Sequence, residues 1–374
     1  MRIGIDARMI GQTGIGRYIT NLVLELAKLD SKTEYKIFVR HPRDLPLKAK
    51  NFTPIVANIP WYSLQEQIKL TRLFQKADIE LLHVPHFNVP FFYNGRFIVT
   101  IHDLTHTRVN LKRATTLAPW LYQAKRLAYM RVLNHALGNS QHIITVTNAV
   151  KNEILSMYKI PSKKILVTPE AVAASFGMKR HPRLLNDPYF FYVGNAHPHK
   201  NLERLVEAFL SISEKERKGH KLVLAGREHY FWERLKQEIK ARPGFENVVF
   251  QGSVSDLELE AWYQHATAFV FPSLAEGFGL PVLEAMKCGT PVVISRIPAL
   301  NEIGGDLPTF FDPKSVEDIA QGLRKALGMT EKERSVWSKK AIAHAKTFSW
   351  SKMATQTLDL YRSLVSGQRD QERG

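Results

Sequence analysis

The chain has 374 residues, of which 44% are hydrophobic and 23% charged, the proportions of a globular protein with a sizeable core. It contains one cysteine, Cys288, and its formal net charge is +17. These values exclude a disordered or fibrous chain, an internal disulfide framework and a multi-cysteine metal site. The sequence shows no signal peptide and no apolar run long enough to span a bilayer, so we expect a cytoplasmic protein.

The positive charge is concentrated in the first half of the chain. Residues 1–187 hold 27 basic and 12 acidic residues, a net of +15, whereas residues 188–374 have a net of only +2. Such an excess favours a first half that faces an anionic partner: a nucleic acid, an acidic membrane surface or a phosphorylated substrate. A basic surface that only aids solubility stays open as the simpler alternative.

Apolar runs alternate with amphipathic stretches along the first half. Runs rich in β-branched and aromatic residues predict buried strands at Tyr35–Val39, Ile79–Val84, Phe97–Ile101, Ile143–Thr147 and Ile165–Thr168. Stretches with helical spacing lie between several of them, at Tyr18–Leu29, Leu64–Lys76 and Leu121–Leu137. This alternation predicts an α/β domain around a parallel sheet.

The pattern breaks at residues 171–188, a stretch with two prolines and a basic run that we predict to be a linker. It then restarts with predicted strands at Tyr189–Val193, Lys221–Ala225, Val248–Gln251, Ala268–Pro272 and Val292–Ser295. Helices are predicted at Leu202–Ile212, Leu257–His265 and Pro281–Cys288. The sequence therefore predicts two α/β domains, residues 1–170 and 189–348, with ligands in a cleft at the carboxyl ends of the strands.

A Gly-Phe-Gly turn lies between two glutamates, directly after a predicted strand of the second domain. Gly277 and Gly279 allow a tight turn and a close approach of the backbone to a ligand, and Pro281 suits the first turn of a helix. Backbone N–H groups at that helix start favour an anion, while Glu276 and Glu284 are acceptors for sugar hydroxyls. The simpler alternative is a helix N-terminus with acids that stabilise its dipole.

These two glutamates, eight positions apart, resemble the E-x7-E motif of retaining glycosyltransferases of the GT-B fold, family 4. Three further segments resemble that family in the same order along the chain. Met1–Tyr18 resembles its first strand and glycine loop, Val99–Leu104 its strand ending in an active-site histidine, and Tyr192–Leu202 its donor-phosphate loop. The resemblance implies two Rossmann-like α/β/α domains facing a central cleft, and transfer of a sugar from a nucleotide-diphosphate donor.

The resemblance also implies roles for individual residues. Glu276 would be catalytic by holding the hydroxyls of the transferred sugar, His102 by orienting that sugar or acting electrostatically, and Lys200 by neutralising the leaving phosphate. Glu284 would hold the ribose diol. The residues implied in donor binding are Gly14, Gly16, Asn195, Lys200, Gly277, Phe278, Gly279, Leu280 and Glu284.

Two features of the sequence concern the donor diphosphate. Asn195 stands where many members of the family have an arginine, which leaves more of the phosphate charge to Lys200. Arg17 and Arg227 are candidates for a second cation. The chain also has no D-x-D triplet, the motif that holds a divalent ion in many other glycosyltransferases. We therefore expect no cofactor and no metal, with Lys200 and backbone dipoles stabilising the leaving group.

The first residues, Ile3–Arg8 followed by Gly14–Tyr18, are typical of a mannosyltransferase B-like branch of the family. This favours GDP-mannose as donor and a glycan or lipid-linked acceptor in bacterial surface polysaccharide synthesis, lipopolysaccharide among them. UDP-glucose, another UDP-sugar and a non-transferring nucleotide-sugar epimerase stay open. A nucleic-acid-binding protein is disfavoured, because no platform of interleaved aromatic and basic residues is found.

Two further expectations follow for the domains. The basic first half could contact an anionic membrane at the inner face of the plasma membrane, with Lys125, Arg126 and Arg131 of helix Pro119–Leu137 at the interface. The alternative is a core-facing helix with a solvated basic side. The family resemblance also implies that a final helix, residues 350–368, crosses back to pack on the first domain, which would give the cleft a double hinge.

Overall fold

The structure is a computed structural model that describes residues 1–105 and 119–371. Clustering of neighbouring residues divides the chain into two compact units. The first contains Met1–Leu104 together with the described parts of Thr116–Glu170 and Ser349–Gly374, and the second consists mainly of Ala171–Phe348. Each unit is built on one parallel sheet.

The described residues form thirteen strands and thirteen α-helices. The strands are β1 (Arg2–Asp6), β2 (Glu34–Val39), β3 (Phe52–Val56), β4 (Leu81–Val84), β5 (Phe97–Ile101), β6 (Ile143–Thr145), β7 (Ile165–Val167), β8 (Tyr189–Val193), β9 (Lys221–Ala225), β10 (Val248–Gly252), β11 (Ala268–Phe271), β12 (Val292–Ser295) and β13 (Thr309–Phe311). The helices are α1 (Thr13–Leu29), α2 (Thr71–Lys76), α3 (Pro119–Asn139), α4 (Asn148–Met157), α5 (Leu202–Ser211), α6 (Glu214–Arg217), α7 (Tyr230–Lys240), α8 (Asp256–His265), α9 (Leu280–Lys287), α10 (Pro298–Gly304), α11 (Val316–Gly328), α12 (Glu331–Ala345) and α13 (Trp350–Gln371).

The sheet of the first unit has the strand order β3-β2-β1-β4-β5-β6-β7. Strands β4 and β5 are buried along their whole length, which is why their sequences are mostly apolar rather than alternating, each with one buried polar residue, His83 and Thr100. The sequence pattern does not predict β3, because this strand contains Pro54 and three of its five residues are exposed. β3 is at the edge of the sheet, where the missing N–H of a proline breaks no ladder.

The sheet of the second unit has the order β10-β9-β8-β11-β12-β13. Its central strands carry buried aromatic side chains, among them Phe190, Phe191 and Phe269. β8 pairs in parallel with both β9 and β11, so the loops that follow these three strands leave the same edge of the sheet side by side. Two parallel-sheet α/β units confirm the predicted fold class.

The last helix, α13, belongs to the first unit, as the sequence predicted. The Ser349 hydroxyl accepts a hydrogen bond from the Lys352 N–H (3.3 Å) and so caps the helix. Met353, Leu358 and Tyr361 are buried, and the Tyr361 hydroxyl lies 2.6 Å from Nδ1 of His83 in β4. The crossing back of the C-terminal helix is therefore confirmed, while the hinge remains a prediction.

Among the described residues, the fully buried side chains of helix α3 lie in its second half. Leu133, Ala136 and Leu137 are buried, whereas Trp120 and Leu127 near its start are exposed. The alternative of a core-facing helix with a solvated basic side thus fits the C-terminal half of α3. No helix among the residues described here combines the length and the apolarity that crossing a membrane requires.

A buried polar chain connects α13 with the sheet of the first unit. His83 is fully buried between the Tyr361 hydroxyl and the Thr100 hydroxyl, which lies 2.8 Å from His83 Nε2. The Tyr18 hydroxyl lies 3.2 Å from the same Thr100 oxygen. Burial, with a smaller contribution from the nearby His102, lowers the pKa of His83 to about 3. The folded protein therefore keeps this ring neutral.

We predict that stability falls as the pH drops from 7.5 to 5.5, partly through His83. The unfolded chain protonates this histidine at a pKa of about 6.5 and the native state does not, so acid favours unfolding by about 1.4 kcal/mol per pH unit below that value. Urea unfolding at the two pH values should show a smaller loss for His83→Gln, which retains hydrogen-bonding groups without titrating. An identical loss in both proteins would contradict the prediction.

Candidate active site

The loop after β8 is a closely packed turn. Asn195 Oδ1 accepts a hydrogen bond from the backbone N–H of His197 (3.1 Å), and the Tyr192 hydroxyl donates to the Asn195 carbonyl oxygen (2.7 Å). Gly226, in the loop after β9, lies so close that a β-carbon there would overlap the Gly194 carbonyl oxygen. The two neighbouring loops therefore support each other through their backbones.

Lys200 and Glu276 form an ion pair between the loops that follow β8 and β11. Lys200 ends a 3-10 turn, Pro198–Lys200, and its Nζ lies 2.6 Å from Glu276 Oε1. Both side chains are only 13% exposed, and Nζ lies 5.2 Å from the centre of the Phe271 ring. The structure thus brings together two of the predicted catalytic residues. Because both side chains are largely shielded from water, the attraction between their opposite charges is stronger than it would be at the surface.

Two further contacts hold these loops together. Asn201 has a left-handed backbone (φ 62°), and its side-chain amide donates to the carbonyl oxygens of Pro272 (3.0 Å) and Pro313 (2.7 Å). The backbone N–H of Leu274 donates to the His199 carbonyl oxygen (2.7 Å). Since these groups flank Lys200 and Glu276 in sequence, the position of the ion pair is set by the backbone.

The Gly-Phe-Gly turn leads directly into α9, which begins at Leu280, one residue before the predicted start. Gly279 precedes the helix with a φ of 102°, and a β-carbon there would lie 2.5 Å from Leu300 Cδ2. Both the dihedral angle and the space therefore require glycine at this position. The Phe278 side chain is buried against Phe348, and Gly277 and Gly279 are also buried, so the turn is packed inside the second unit.

Glu284 lies in the second turn of α9 and is 3% exposed. Its Oε2 accepts a hydrogen bond from the Tyr263 hydroxyl at 2.9 Å. The helix begins with Leu280 and Pro281, so Glu284 follows the helix start by about one turn, as the sequence predicted. Tyr263, which the sequence analysis did not consider, is the partner that the structure adds.

In the first unit, His102 follows the carboxyl end of β5 and is held by oxygen atoms on both sides of its ring. Nδ1 lies 3.1 Å from Glu170 Oε1, and Nε2 lies 3.2 Å from the Pro85 carbonyl oxygen. Tyr18 packs edge-on against the ring, with the ring centres 4.9 Å apart. Sequence reasoning missed Glu170, because no local pattern marks a glutamate 68 positions from its partner.

Two family models match the chain, and together they cover nearly all of it. The model described as "Glycosyltransferase Family 4" matches residues 12–176, and the model described as "Glycosyl transferases group 1" matches residues 178–344. The chain belongs to glycosyltransferase family 4. The family and the enzyme class predicted from the sequence are therefore confirmed.

Relatives and solved structures resemble this glycosyltransferase over most of its length. It is 29% identical to O-antigen chain mannosyltransferase B of Escherichia coli, covering 94% of this chain and 96% of the relative. It is 26% identical to O-antigen chain mannosyltransferase RfbU of Salmonella typhimurium, covering 80% and 83%. Sucrose-phosphate synthase from Thermosynechococcus elongatus has a similar structure, with a TM-score of 0.75 at 21% identity, covering 98% of this chain and all of that one. The structural match shows the fold.

The predicted glycine loop of this glycosyltransferase needs a correction. Gly14 and Gly16 lie in the first turn of α1, which begins at Thr13, whereas the sequence analysis placed them in a loop before a helix at Tyr18. A β-carbon on Gly16 would overlap the carbonyl of Ile10, so this glycine is required by packing inside the protein. Within the described part of the chain, a β-carbon built on Gly14 would meet no atom outside its own helix within 4 Å, and the predicted contact of Gly14 with the donor stays a prediction.

The cations predicted for the diphosphate differ in their surroundings. Lys200 is paired with Glu276, whereas Arg227 is exposed in the loop after β9. Asn195 closes its own loop through its side chain. Over residues 1–105 and 119–371, no three His, Cys, Asp or Glu side chains are grouped so as to hold a metal ion. Metal independence stays a prediction.

A buried ionic cluster at the end of β1 was not predicted from the sequence. Arg8 donates from Nε and Nη2 to both oxygens of Asp6 (2.8 Å each) and from Nη2 to Glu66 Oε1 (2.7 Å). Glu66 Oε2 also accepts from the Asn88 side chain (2.6 Å). Burial alone would lower the pKa of Arg8, but the two carboxylates raise it above its usual range. The cluster fastens the π-helical turn Glu66–Leu70 and the loop after β4 to the edge of the sheet that carries His102.

Proposed function

We propose that this glycosyltransferase transfers a hexose, with mannose from GDP-mannose favoured, to a glycan or lipid-linked acceptor in bacterial surface polysaccharide synthesis, with retention at the anomeric carbon. The observation that carries the proposal is the pairing of Lys200 with Glu276 at the carboxyl edge of the second sheet. A cation on one loop can bind a phosphate, and a carboxylate on the adjoining loop can accept a hydrogen bond from a sugar hydroxyl. The names of the two O-antigen mannosyltransferases support the choice of sugar and pathway.

In this proposal the second unit binds the donor. Lys200, backbone N–H groups of the loop after β8 and the start of α9 stabilise the departing diphosphate, because positive charge there is worth most as the C1–O bond breaks. Glu276 accepts from hydroxyls of the transferred sugar, and Glu284 accepts from the ribose. When the donor enters, its phosphate replaces Glu276 as the partner of Lys200, and its sugar replaces Lys200 as the partner of Glu276.

The chemical step we propose is a front-face substitution. The acceptor oxygen forms a bond to C1 on the face from which the diphosphate leaves, and the acceptor proton passes to an oxygen of the leaving phosphate. In the proposed complex Glu276 accepts from hydroxyls of the transferred sugar, and the sequence offers no obvious pair of carboxylates for a double displacement, which favours the front-face route. Incubation with the donor alone tests the epimerase alternative, since an epimerase would change the sugar without an acceptor.

We predict that Glu276→Gln abolishes transfer but binds nucleoside diphosphate more tightly than the wild type. The variant frees Lys200 from its carboxylate partner and removes a negative charge that repels the phosphates. Calorimetric titration of both proteins with GDP, UDP and ADP should identify the nucleotide that binds most tightly. For that nucleotide, the affinity of the variant should exceed that of the wild type. Lys200→Gln should lose both affinity and transfer.

Glu317→Gln is the matched control for this charge change. Glu317 pairs with Arg324 (3.1 Å) in α11, and its side chain is 65% exposed. We expect wild-type affinity and wild-type transfer, because an exposed ion pair contributes little. Wild-type turnover in Glu276→Gln would contradict the assignment of this glutamate.

We predict that transfer continues in excess EDTA. Lys200 and backbone dipoles are proposed to carry the charge of the leaving group, and the sequence has no D-x-D triplet. Radiolabelled sugar transfer before and after chelation is the measurement. Complete loss of transfer that Mg²⁺ or Mn²⁺ restores would show that the diphosphate site depends on a metal.

We propose that the first unit meets an anionic membrane surface where a lipid-linked acceptor lies. Several of its exposed apolar side chains lie on α3, in the π-helical turn and the loop before it, and in the loop after β4: Tyr62, Leu64, Ile68, Phe92, Trp120 and Leu127. Ring contacts from Tyr62 to Phe87 (6.3 Å) and from Phe87 to Tyr129 (4.9 Å) connect these segments. Exposed cations on α3 supply the complementary charge.

We predict that reversing three charges of α3, Lys125→Glu, Arg126→Glu and Arg131→Glu, weakens binding to vesicles of anionic lipid. Wild-type binding should also fall with salt, because exposed charges are screened beyond about 8 Å at physiological ionic strength. The control reverses three exposed lysines of the second unit, Lys325, Lys332 and Lys340, which changes the net charge equally. Equal loss in both triple variants during vesicle sedimentation would remove α3 as the contact.

A further inference from the structure

Tyr263 of α8 is fully buried, and its hydroxyl donates a hydrogen bond to the carboxylate of Glu284. The hydroxyl donates to Glu284 Oε2 at 2.9 Å, inside a region where Glu284 itself is 3% exposed. A phenol is a neutral donor, so it holds the carboxylate without cancelling its charge, unlike the lysine that pairs with Glu276. The two glutamates of the motif are therefore held by chemically different partners.

The Tyr263 ring has little freedom to move. It packs edge-on against Phe191 (ring centres 5.4 Å apart), Phe269 (5.3 Å) and Phe176 (6.1 Å). The Thr290 hydroxyl donates to the Tyr263 carbonyl oxygen (2.5 Å), which also fixes the backbone. Because the ring is enclosed on several sides, the position of its hydroxyl is set by the core of the second unit.

We propose that Tyr263 is a positioning residue that orients the Glu284 carboxylate toward the ribose and thereby selects ribonucleotide over 2′-deoxyribonucleotide donors. This rests on the proposed function, in which Glu284 accepts from the ribose diol. The rigidly held phenol hydroxyl fixes the direction of one hydrogen bond to the carboxylate, so the acceptor directions that face a ligand lie at defined angles. A site built to accept from a hydroxyl discriminates against a ligand that lacks it. Without the phenol hydroxyl this constraint on the carboxylate is lost, and the 2′-hydroxyl contributes less to the binding free energy of the nucleotide.

The experiment is calorimetric titration of Tyr263→Phe and wild type with GDP and 2′-deoxy-GDP, and with UDP and 2′-deoxy-UDP. Wild type should bind the ribonucleotide of the preferred pair more tightly than its deoxy analogue. In Tyr263→Phe the affinity for the ribonucleotide should fall roughly tenfold, the effect of one hydrogen bond to a charged group. The affinity for the deoxy analogue should change much less, so that the ratio between the two approaches one.

Tyr189→Phe is the matched control. The Tyr189 hydroxyl is also buried and donates to the carbonyl oxygen of Trp262 (3.0 Å), the residue before Tyr263 in α8. This variant loses a buried phenol hydrogen bond to the same helix without touching Glu284, so the ratio should stay at its wild-type value.

The outcomes separate the two levels of the proposal. If Tyr263→Phe weakens both nucleotides equally, Tyr263 is only structural and the inference is overturned while the proposed function stands. If Glu284→Gln leaves the wild-type ratio unchanged, the ribose role of Glu284 is overturned, and the role of Tyr263 with it. A lost preference in Glu284→Gln and in Tyr263→Phe, with no further loss in the double variant, supports the inference.

Discussion

Parallel pairing of every strand is the constraint on which the rest of this enzyme depends. Because all strands of a sheet run the same way, every loop after a strand leaves from one edge, and residues far apart in sequence meet there. Lys200 and Glu276 are 76 positions apart, yet β8 and β11 are neighbours in the sheet, and the loops after them are joined by backbone hydrogen bonds. The same constraint brings Glu170 to His102 in the first unit.

A site assembled in this way has to satisfy its own charges when no ligand is bound. Lys200 and Glu276 do so by pairing, which avoids leaving either charge partly buried and alone, a state that costs several kcal/mol. Under the proposed function, the same pair also weakens the binding of incomplete ligands. A bare phosphate must compete with a carboxylate for Lys200, whereas a phosphate linked to a sugar offers a partner to both residues at once. Selectivity for the complete donor over its parts then follows from the pairing.

The sequence was sufficient where chemistry and secondary structure are local. Buried parallel strands such as β4 and β5 appear as short, mostly apolar runs, and the spacing of Glu276 and Glu284 around two glycines is recognisable as a motif. It failed for β3, where Pro54 interrupts the signal, and for Gly14 and Gly16, since glycine inside the first turn of a helix resembles a loop. Individual side-chain pairs across the chain could not be predicted.

The cross-chain contacts share one physical property: they are buried and polar. Arg8 meets Glu66, His102 meets Glu170, and Tyr263 meets Glu284. In each case a charged or titratable group needs a partner once it leaves water, but many side chains in the sequence could supply one. Which one does so is decided by the packing of whole elements, and a periodic pattern carries no information about that choice.

The placement of α13 has a consequence for how the protein is made. His83 of β4 has its hydroxyl partner in Tyr361, 278 positions later in the chain. A ribosome adding about 5–20 residues per second needs roughly 10 to 35 seconds to pass from Glu170, the end of the second segment of this unit, to its last helix. During that interval the nascent first sheet lacks α13, and His83 lacks the Tyr361 hydroxyl, one of its two hydrogen-bond partners. A chain whose translation stops before Trp350 would lack α13, so its first unit would be incomplete although that unit is synthesised first.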